Sequence, residues 1–128
     1  MLLLGLAGCA GAAPVSVPAE ALVVRRIALE ETLTRLDAGE DVIFLDTRER
    51  AIGPMIQDAV HVPYSWLGKW AKEQPKDAFI IAYCACANEA SAARAVLDLQ
   101  REGFTNTYAL LGGFDGWVSA GRPVEVRR

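Results

Sequence analysis

Cys84 is the residue of this sequence with the most evident chemistry, because of what stands on either side of it. The apolar and aromatic run from Ala78 to Tyr83 predicts a buried strand, which ends at the cysteine. From about Glu89 onward, small and apolar residues recur at helical spacing, so a short loop joins strand to helix. Such a turn directs backbone N–H groups and the positive end of a helix dipole at what it encloses. This position lowers a thiol pKa below its ordinary value of about 8.5, and we predict a thiolate site.

The active-site loop that follows Cys84 has five further residues: Ala85, Cys86, Ala87, Asn88 and Glu89. The two small alanines allow the loop backbone to curl closely around the sulfur, and asparagine is a residue type that caps helices. A carboxylate at Glu89, in the first helical turn, is favourable to the helix dipole by roughly 0.3–1 kcal/mol. Its negative charge would, however, disfavour a dianionic substrate in the loop.

The number and spacing of the cysteines limit the roles open to Cys86. Cys84 and Cys86 are too close for an easy structural cross-link, and the odd count of three argues against a disulfide framework. Two interpretations stay open: a resolving thiol that attacks a persulfide or sulfenate on Cys84, or a small, partly buried residue. The single histidine and the lack of a second cysteine pair argue against a zinc site. No nucleotide or flavin motif is present, so we predict neither a metal nor a cofactor.

Length and composition predict one globular domain. A chain of 128 residues with 52% hydrophobic and 23% charged residues can bury a core of ordinary size. The net charge of −3 and the absence of a Lys/Arg cluster argue against nucleic acid as a partner. We expect the isolated pair Arg25-Arg26 to be solvated.

The N-terminal segment predicts a cell-envelope location. An apolar run ends in Leu6-Ala7-Gly8-Cys9, which resembles the lipobox of bacterial lipoproteins, where the cysteine carries the lipid. The segment departs from that pattern because no Lys or Arg precedes the run. We expect a signal segment over 1–8, a linker over 9–21 and the folded domain over 22–128, with membrane contact only through a lipid on Cys9. The alternatives for this segment are a disordered apolar tail or the remainder of a longer membrane segment, and the alternative location is cytoplasmic.

Strands and helices alternate along the predicted domain. Strands are predicted within residues 22–27, 42–45, 59–63, 78–83 and 107–111, and helices at about 29–36, 65–74, 89–102 and 114–120. We expect a loop at Gly53-Pro54, a capping role for Ser65, and core positions for Trp66, Trp70 and Trp117. This alternation predicts an α/β fold with a mostly parallel sheet covered by helices on both faces.

Functional side chains are predicted at one edge of that sheet. Asp46 and Arg48 follow one apolar strand and Cys84 follows another, so all three lie at carboxyl ends of strands, where such folds bind ligands. Arg48 can either place a cation at the pocket rim or form a salt bridge with Asp46. His61 lies inside a strand-like segment and is predicted to be a packed, hydrogen-bonded residue.

Four stretches in this order resemble a single rhodanese domain, from about Ile27 to Val124. They are an apolar strand followed by Asp-x-Arg (Val42–Arg48), a segment similar to Ile-Pro-Gly-Ala-x-x-x-Pro (Ile56–Pro63), the strand that delivers the cysteine (Ile80–Cys84), and a Gly-Gly-x-x-x-Trp…Gly-x-Pro ending (Leu111–Trp117, then Gly121 and Pro123). The resemblance implies a five-stranded rhodanese-like sheet and sulfur transfer through a persulfide on Cys84. It also implies a small sulfur donor and a thiol or protein acceptor as partners, and it leaves the oligomeric state open.

The loop departs from the best-known version of the family, which reads Cys-x-x-Gly-x-Arg. Alanine stands here for the glycine and Glu89 for the arginine, and the loop is closer to a variant with Cys-x-Cys-Pro-Asn-Glu. A phosphatase function is not expected, because that chemistry needs an arginine at the end of the loop to hold the phosphoryl oxygens. We therefore expect a sulfurtransferase whose donor is not thiosulfate. The alternatives are a Cys84/Cys86 dithiol redox or redox-sensing module, and a rhodanese-like binding domain without turnover.

Overall fold

The structure is a computed structural model that describes residues 22–85 and 89–126. Its strands are β1 (Arg26–Ile27), β2 (Ile43–Asp46), β3 (Pro54–Ile56), β4 (Val60–His61), β5 (Ile80–Tyr83), β6 (Thr107–Leu110) and β7 (Val124–Val126). Its helices are α1 (Leu29–Asp37), α2 (Leu67–Ala71), α3 (Ala90–Arg101) and α4 (Gly113–Ser119), with a 3-10 turn at Tyr64–Trp66. The predictions for the signal segment, the linker, Cys9, Cys86, Ala87 and Asn88 lie outside the described residues.

Five strands form a fully parallel sheet in the order β1-β6-β5-β2-β4. The central strand β5 is buried over its whole length, which explains its continuous apolar sequence. In the register of the sheet, Asp46 at the end of β2 lies opposite Tyr83 on one side and His61 on the other. The predicted α/β fold with a parallel five-stranded sheet is therefore confirmed.

Helices cover both faces of this sheet. On one face, α3 packs Ala92, Val96 and Leu99 against the strands in a cluster that includes Cys84. On the other face, Phe114 and Trp117 of α4 pack against the strands. Side chains of successive residues along β5 alternate between the two clusters, so Cys84 continues the alternation and points towards α3. No helix within the described ranges is long and apolar enough to cross a membrane.

A second, smaller sheet was not predicted. Residues Pro54–Ile56 form β3, which pairs in antiparallel register with β7, where a loop at Gly53-Pro54 was expected. Proline can open this strand because the first residue of an edge strand need not donate to a neighbour. Met55 and Ile56 are buried on the same face as Trp117, so this sheet closes that side of the core.

Two predictions at the second helical segment, predicted at about 65–74, were wrong. Ser65 lies inside the 3-10 turn and does not cap a helix, because Pro63 takes the position before the turn. Trp66 is 58% exposed rather than buried, whereas Trp117 is 3% exposed, as predicted. A 3-10 turn has fewer residues per turn than an α-helix, so the side chains before α2 do not follow α-helical spacing. The spacing of the apolar residues therefore does not predict which of them face the core.

Candidate active site

Cys84 lies directly after β5, between the central strand and the helix α3, where the sequence placed it. Its side chain is only 2% exposed and belongs to the apolar cluster beneath α3. Cys84 is disulfide-bonded in the structure, and the other two cysteines of the chain lie outside the described residues. The sulfur of Cys84 therefore occupies a sheltered position at the carboxyl edge of the sheet.

The peptide group in front of Cys84 is fixed by Thr47, the residue that follows β2. The backbone N–H and the hydroxyl Oγ1 of Thr47 both donate to the carbonyl oxygen of Tyr83, each at 3.1 Å. Thr47 is buried, so these two bonds are shielded from competing water. The backbone immediately before Cys84 is thus held by two hydrogen-bond donors of Thr47.

The peptide group behind Cys84 is fixed by the start of α4. The N–H of Phe114 donates to the carbonyl oxygen of Cys84 at 3.1 Å. This approach requires glycine at position 113, because a Cβ there would lie 2.5 Å from the Cys84 carbonyl oxygen. Gly113 also has a φ of +55°, in the left-handed region that glycine adopts without strain. Two separate elements therefore position the backbone on both sides of the sulfur.

A buried polar network lies beneath this edge of the sheet. Asp46 is fully buried and accepts a hydrogen bond of 2.8 Å from the Tyr83 hydroxyl, which itself accepts one of 3.1 Å from the Ile56 N–H. Burial raises the pKa of Tyr83 well above its ordinary value, and the negative charge of Asp46 acts in the same direction. Tyr83 therefore stays a neutral hydrogen-bond donor and ties the cysteine strand to β2.

Arg48 forms a bidentate ion pair with Asp46. Its Nε lies 3.0 Å and 3.1 Å from the two carboxylate oxygens, and its Nη2 lies 2.7 Å from Oδ2. The hydrogen bonds to Asp46 raise the pKa of Arg48, and the guanidinium lies 5.2 Å from the centre of the Phe114 ring. Of the two interpretations offered by the sequence, the structure has the salt bridge, so the charge of Arg48 is directed at Asp46.

His61 is packed, as its place in a strand-like segment suggests. Its Nε2 lies 2.6 Å from the carbonyl oxygen of Arg48. Because a carbonyl oxygen only accepts hydrogen bonds, Nε2 carries the proton. His61 therefore supports the loop after β2, two strands away from Cys84 and at about 10 Å by strand spacing.

Glu89, the last residue of the loop, has a left-handed backbone conformation, which is strained for a residue other than glycine. It has a φ of 52° and stands at the N-cap of α3, although its side chain makes no capping hydrogen bond. Its carboxylate instead pairs with Arg26 of β1, with Nε and Oε1 3.4 Å apart. The Glu89 side chain is 15% exposed and that of Arg26 is 38% exposed. Arg26, expected to be solvated, therefore offsets part of the negative charge at the loop.

Sequence reasoning missed three contributors to the site: Thr47, Gly113 with Phe114, and Arg26. The Gly-Gly pair at positions 112 and 113, directly after a strand, was a signal for close backbone approach, although we used it only as part of the ending that resembles the rhodanese domain. Thr47 and Arg26 carried no such signal, because their partners are 36 and 63 residues away in sequence.

A model of the rhodanese-like domain family matches residues 28–120 of the chain, which cover four of the five strands of the parallel sheet (β2, β4, β5 and β6), Cys84 and the close approach of Gly113. The chain belongs to the rhodanese-like domain family. The resemblance drawn from four short stretches is confirmed. The loop variant and the lipobox-like N-terminus stay predictions.

Curated relatives of this rhodanese-like chain carry an enzyme name. The thiosulfate sulfurtransferase GlpE of Glaesserella parasuis is 29% identical over 108 residues, covering 77% of this chain and 98% of the relative. The protein of the same name from Actinobacillus succinogenes is 31% identical over 89 residues, covering 68% of this chain and 78% of the relative.

Solved structures agree with the rhodanese-like fold. A rhodanese-related protein from Thermoplasma volcanium superposes with a TM-score of 0.67 at 28% identity, over 80% of this chain and 99% of that one. A protein from Lactobacillus plantarum gives a TM-score of 0.71 at 23% identity, over 79% of this chain and 87% of that one, and shares the fold.

Proposed function

We propose that this chain is a sulfurtransferase that carries sulfane sulfur as a persulfide on Cys84, with a donor other than thiosulfate. The observation that supports it best is the fixed backbone on both sides of Cys84, at the carboxyl end of the central strand of a rhodanese-like sheet. A sulfur held in this way can exchange an outer sulfur atom without moving the chain. Membership of the family and the names of its relatives point to the same reaction class.

The proposed cycle is redox-neutral and starts from the reduced cysteine. The Cys84 thiolate attacks the outer sulfur of a donor persulfide, R–S–SH, and forms a new S–S bond while the bond to R–S breaks. The donor leaves as a thiolate, and Cys84 holds the transferred sulfur as a persulfide. An acceptor nucleophile then attacks this outer sulfur, forms its own bond to it and releases Cys84 as a thiolate.

The charges near the site support a donor other than thiosulfate. A dianion needs cations to compensate its desolvation on entering a sheltered site. Among the described residues, the guanidinium of Arg48 is directed at Asp46, and Arg26 pairs with Glu89. A neutral or singly charged persulfide or polysulfide does not depend on such cations. The proposed donor class thus differs from the one in the relatives' name.

Mass spectrometry of the reduced protein tests this proposal. After incubation with a persulfidated small thiol, the peptide that contains Cys84 is expected to gain the mass of one sulfur atom, and Cys84→Ser is expected to lose this gain. Cys86→Ser is the matched control, because it removes a thiol from the same loop and leaves the carrier in place. The same assay with thiosulfate is expected to give a much slower gain. No added sulfur from any donor would overturn the proposal, and faster loading from thiosulfate would overturn its donor class.

A second candidate function is a dithiol redox module that uses Cys84 and Cys86. Its support is that Cys86 stands two residues after Cys84 in the sequence and that Cys84 is disulfide-bonded, with its partner outside the described residues. Two electrons and two protons from a dithiol reductant would convert the disulfide into two thiols, and an oxidised partner would reverse the step. A measured reduction potential within the range of cellular thiol couples supports this function. If Cys86→Ser transfers sulfur at the rate of the unchanged protein, the redox cycle is not part of the transfer reaction.

We also propose that Cys9 carries a lipid that anchors the protein in a bacterial cell envelope. The support is the lipobox-like Leu6-Ala7-Gly8-Cys9 sequence and the apolar run before it. Expression in a bacterium with a labelled fatty acid is expected to label the protein, and Cys9→Ser to abolish the label. An unlabelled protein recovered from the cytoplasm would overturn this location.

A further inference from the structure

An exposed aromatic turn lies beside the carboxyl edge of the sheet. The ends of β4, β2 and β5 lie side by side in the register of the sheet, so Val62 after β4 and Cys84 after β5 are at the same height. Both side chains belong to the buried cluster beneath α3. The 3-10 turn Tyr64–Trp66 follows Val62 directly, and β4 lies two strands from β5, which is about 10 Å by strand spacing.

A cavity of about 340 Å³ lies between this edge of the sheet and α2. Its walls are mainly apolar and include Val62, Pro63, Trp66 and Trp70. Trp66 is 58% exposed, so its ring can be reached from solvent. The volume is within the usual range of about 300–1,000 Å³ for binding pockets, and tryptophan is enriched among the residues that anchor protein interfaces.

Two cations lie over the aromatic rings of the 3-10 turn. The Nζ of Lys69, from α2, lies 5.5 Å from the centre of the Trp66 ring. The guanidinium carbon of Arg94, from α3, lies 4.6 Å from the centre of the Tyr64 ring. Lys69 and Arg94 are both exposed, and neither forms an ion pair with a residue that the structure describes. The turn therefore presents two positive charges to solvent next to an apolar cavity.

The acidic residues near the turn leave these two cations accessible. Asp98 accepts a hydrogen bond from the Tyr64 hydroxyl and forms an ion pair of 3.5 Å with Arg101. Glu73 lies on the wall of the cavity, four residues after Lys69 and beyond the end of α2. A negatively charged partner is therefore expected to lie on the side of the two cations, away from Glu73.

We propose that this surface binds an acidic segment of a protein that accepts sulfur from Cys84. An apolar side chain of the segment enters the cavity, and its acidic residues lie against Lys69 and Arg94. The chain has a net charge of −3, so most of the molecule repels an acidic partner and the local cations direct it to this surface. The proposal rests on the proposed sulfur transfer and adds the class of acceptor to it.

Peptides without a thiol test this surface independently of sulfur transfer. The probe is acetyl-Glu-Glu-Leu-Ser-Gly-amide, and the indole N–H of the exposed Trp66 reports binding by NMR. A saturable shift is expected, with at least about fivefold weaker binding of acetyl-Lys-Lys-Leu-Ser-Gly-amide. At about 0.5 M NaCl the difference is expected to shrink, because salt screens exposed charges. No saturable shift, or equal binding of the two peptides, would overturn the proposal.

Charge reversals at three exposed cations locate the contact. Lys69→Glu and Arg94→Glu are each expected to weaken binding of the acidic peptide by about threefold or more. Arg25→Glu is the matched control, because Arg25 is exposed and directly precedes β1, at the opposite edge of the sheet, and it is expected to leave binding unchanged. Equal loss in all three variants would show general attraction of anions and overturn the assignment. The NMR spectrum verifies that each variant is folded, and if one is not, the comparison of the two peptides on the unchanged protein decides.

Sulfur transfer separates this proposal from the proposed function. Peptides with cysteine in place of serine are offered to the persulfide on Cys84; the peptide thiolate bonds to the outer sulfur and Cys84 leaves as a thiolate. A lower KM is expected for the acidic peptide than for the lysine peptide. If Cys84 takes up no sulfur but the acidic serine peptide binds selectively, the proposed function fails and the surface stands. If Cys84 is loaded and the two KM values are equal, only the docking surface is overturned.

Vesicles of phosphatidylglycerol are the last arm of the test, because an anionic membrane also attracts cations and tryptophan. We expect the vesicles to bind no better to the unchanged protein than to Lys69→Glu. Vesicle binding that Lys69→Glu abolishes, together with no binding of the acidic peptide, would overturn the protein partner and assign the surface to a membrane.

Discussion

Replacing Gly113 by alanine tests whether the close approach of α4 positions Cys84. The new Cβ would lie 2.5 Å from the Cys84 carbonyl oxygen, a backbone atom that cannot rotate away as a side chain does. An alanine at a φ of +55° costs about 1–2 kcal/mol in a left-handed conformation. Overpacking against fixed atoms adds typically about 1–3 kcal/mol. We therefore expect Gly113→Ala to lower the free energy of unfolding by about 2–5 kcal/mol.

Gly121→Ala is the matched control for this change. Gly121 has a φ of +71°, and a Cβ there meets no atom within 4 Å. The change Gly121→Ala therefore adds only the conformational cost of a positive φ. Urea denaturation of both variants gives the difference, which isolates the clash at the cysteine. A domain is stable by only about 5–15 kcal/mol, so a loss of this size can unfold part of the protein. The measurement is therefore made at low temperature, and the folded fraction is verified first.

The rate of persulfide loading on Cys84 supplies the second readout. Gly113→Ala is expected to slow loading per folded molecule, because the clash breaks or lengthens the hydrogen bond from Phe114 to the Cys84 carbonyl. Gly121→Ala is expected to load at the rate of the unchanged protein. If the two variants are equally stable and load equally fast, α4 does not position the cysteine and the reasoning is refuted.

Three further changes follow from the site. Thr47→Val removes the hydroxyl donor to the Tyr83 carbonyl, and we expect a loss of about 1 kcal/mol in urea denaturation with slower persulfide loading, both restored by Thr47→Ser. Because the pKa of Tyr83 is raised, the folded state keeps a proton on this hydroxyl at a pH where the unfolded state has lost it. The free energy of unfolding is therefore expected to fall as the pH rises above about 10, and to fall less steeply in Tyr83→Phe. Glu89→Gln removes the acidic partner of Arg26, and thiosulfate loading is expected to rise a few-fold in a kinetic assay.

Each of these changes has an outcome that contradicts it. Full loading in Thr47→Val would show that the N–H of Thr47 alone holds the strand end. Tyr64 also has a raised pKa, so Tyr64→Phe is the control for the alkaline slope, and an unchanged slope in Tyr83→Phe would contradict the role of Tyr83. Unchanged thiosulfate loading in Glu89→Gln would mean that Glu89 does not set the donor preference. Stability should move by less than about 1 kcal/mol in that variant, because the pair is partly exposed.

The parallel sheet and the place of Cys84 were predictable because both depend on local signals. Continuous apolar runs such as Ile80–Tyr83 mark strands buried on both faces, and these strands occur in the structure within about two residues of the predicted bounds at their carboxyl ends. The position of Cys84 was predicted from the boundary between such an apolar run and the following residues that recur at helical spacing. Neither inference required knowledge of distant contacts.

The remaining features could not be predicted because they depend on distant pairings or on small changes of helical phase. The sheet of β3 and β7 joins strands of three residues each from distant parts of the chain, and strands so short carry little periodicity. Trp66 sits in a 3-10 turn, whose residues per turn differ from those of the α-helix that the spacing suggested. The pairing of Arg26 with Glu89 brings the ends of two elements together only once the sheet has formed.

The charges at the cysteine bear on the donor class that we propose. In the described part of the site, Arg26 and Arg48 both have carboxylate partners, so neither guanidinium is left to compensate the charge of an entering anion. In the function that we propose, a donor that carries little charge and leaves as a single thiolate therefore suits the site. In that proposal, the departure of the loop from an arginine-ending sequence changes the donor rather than the sulfur transfer at Cys84.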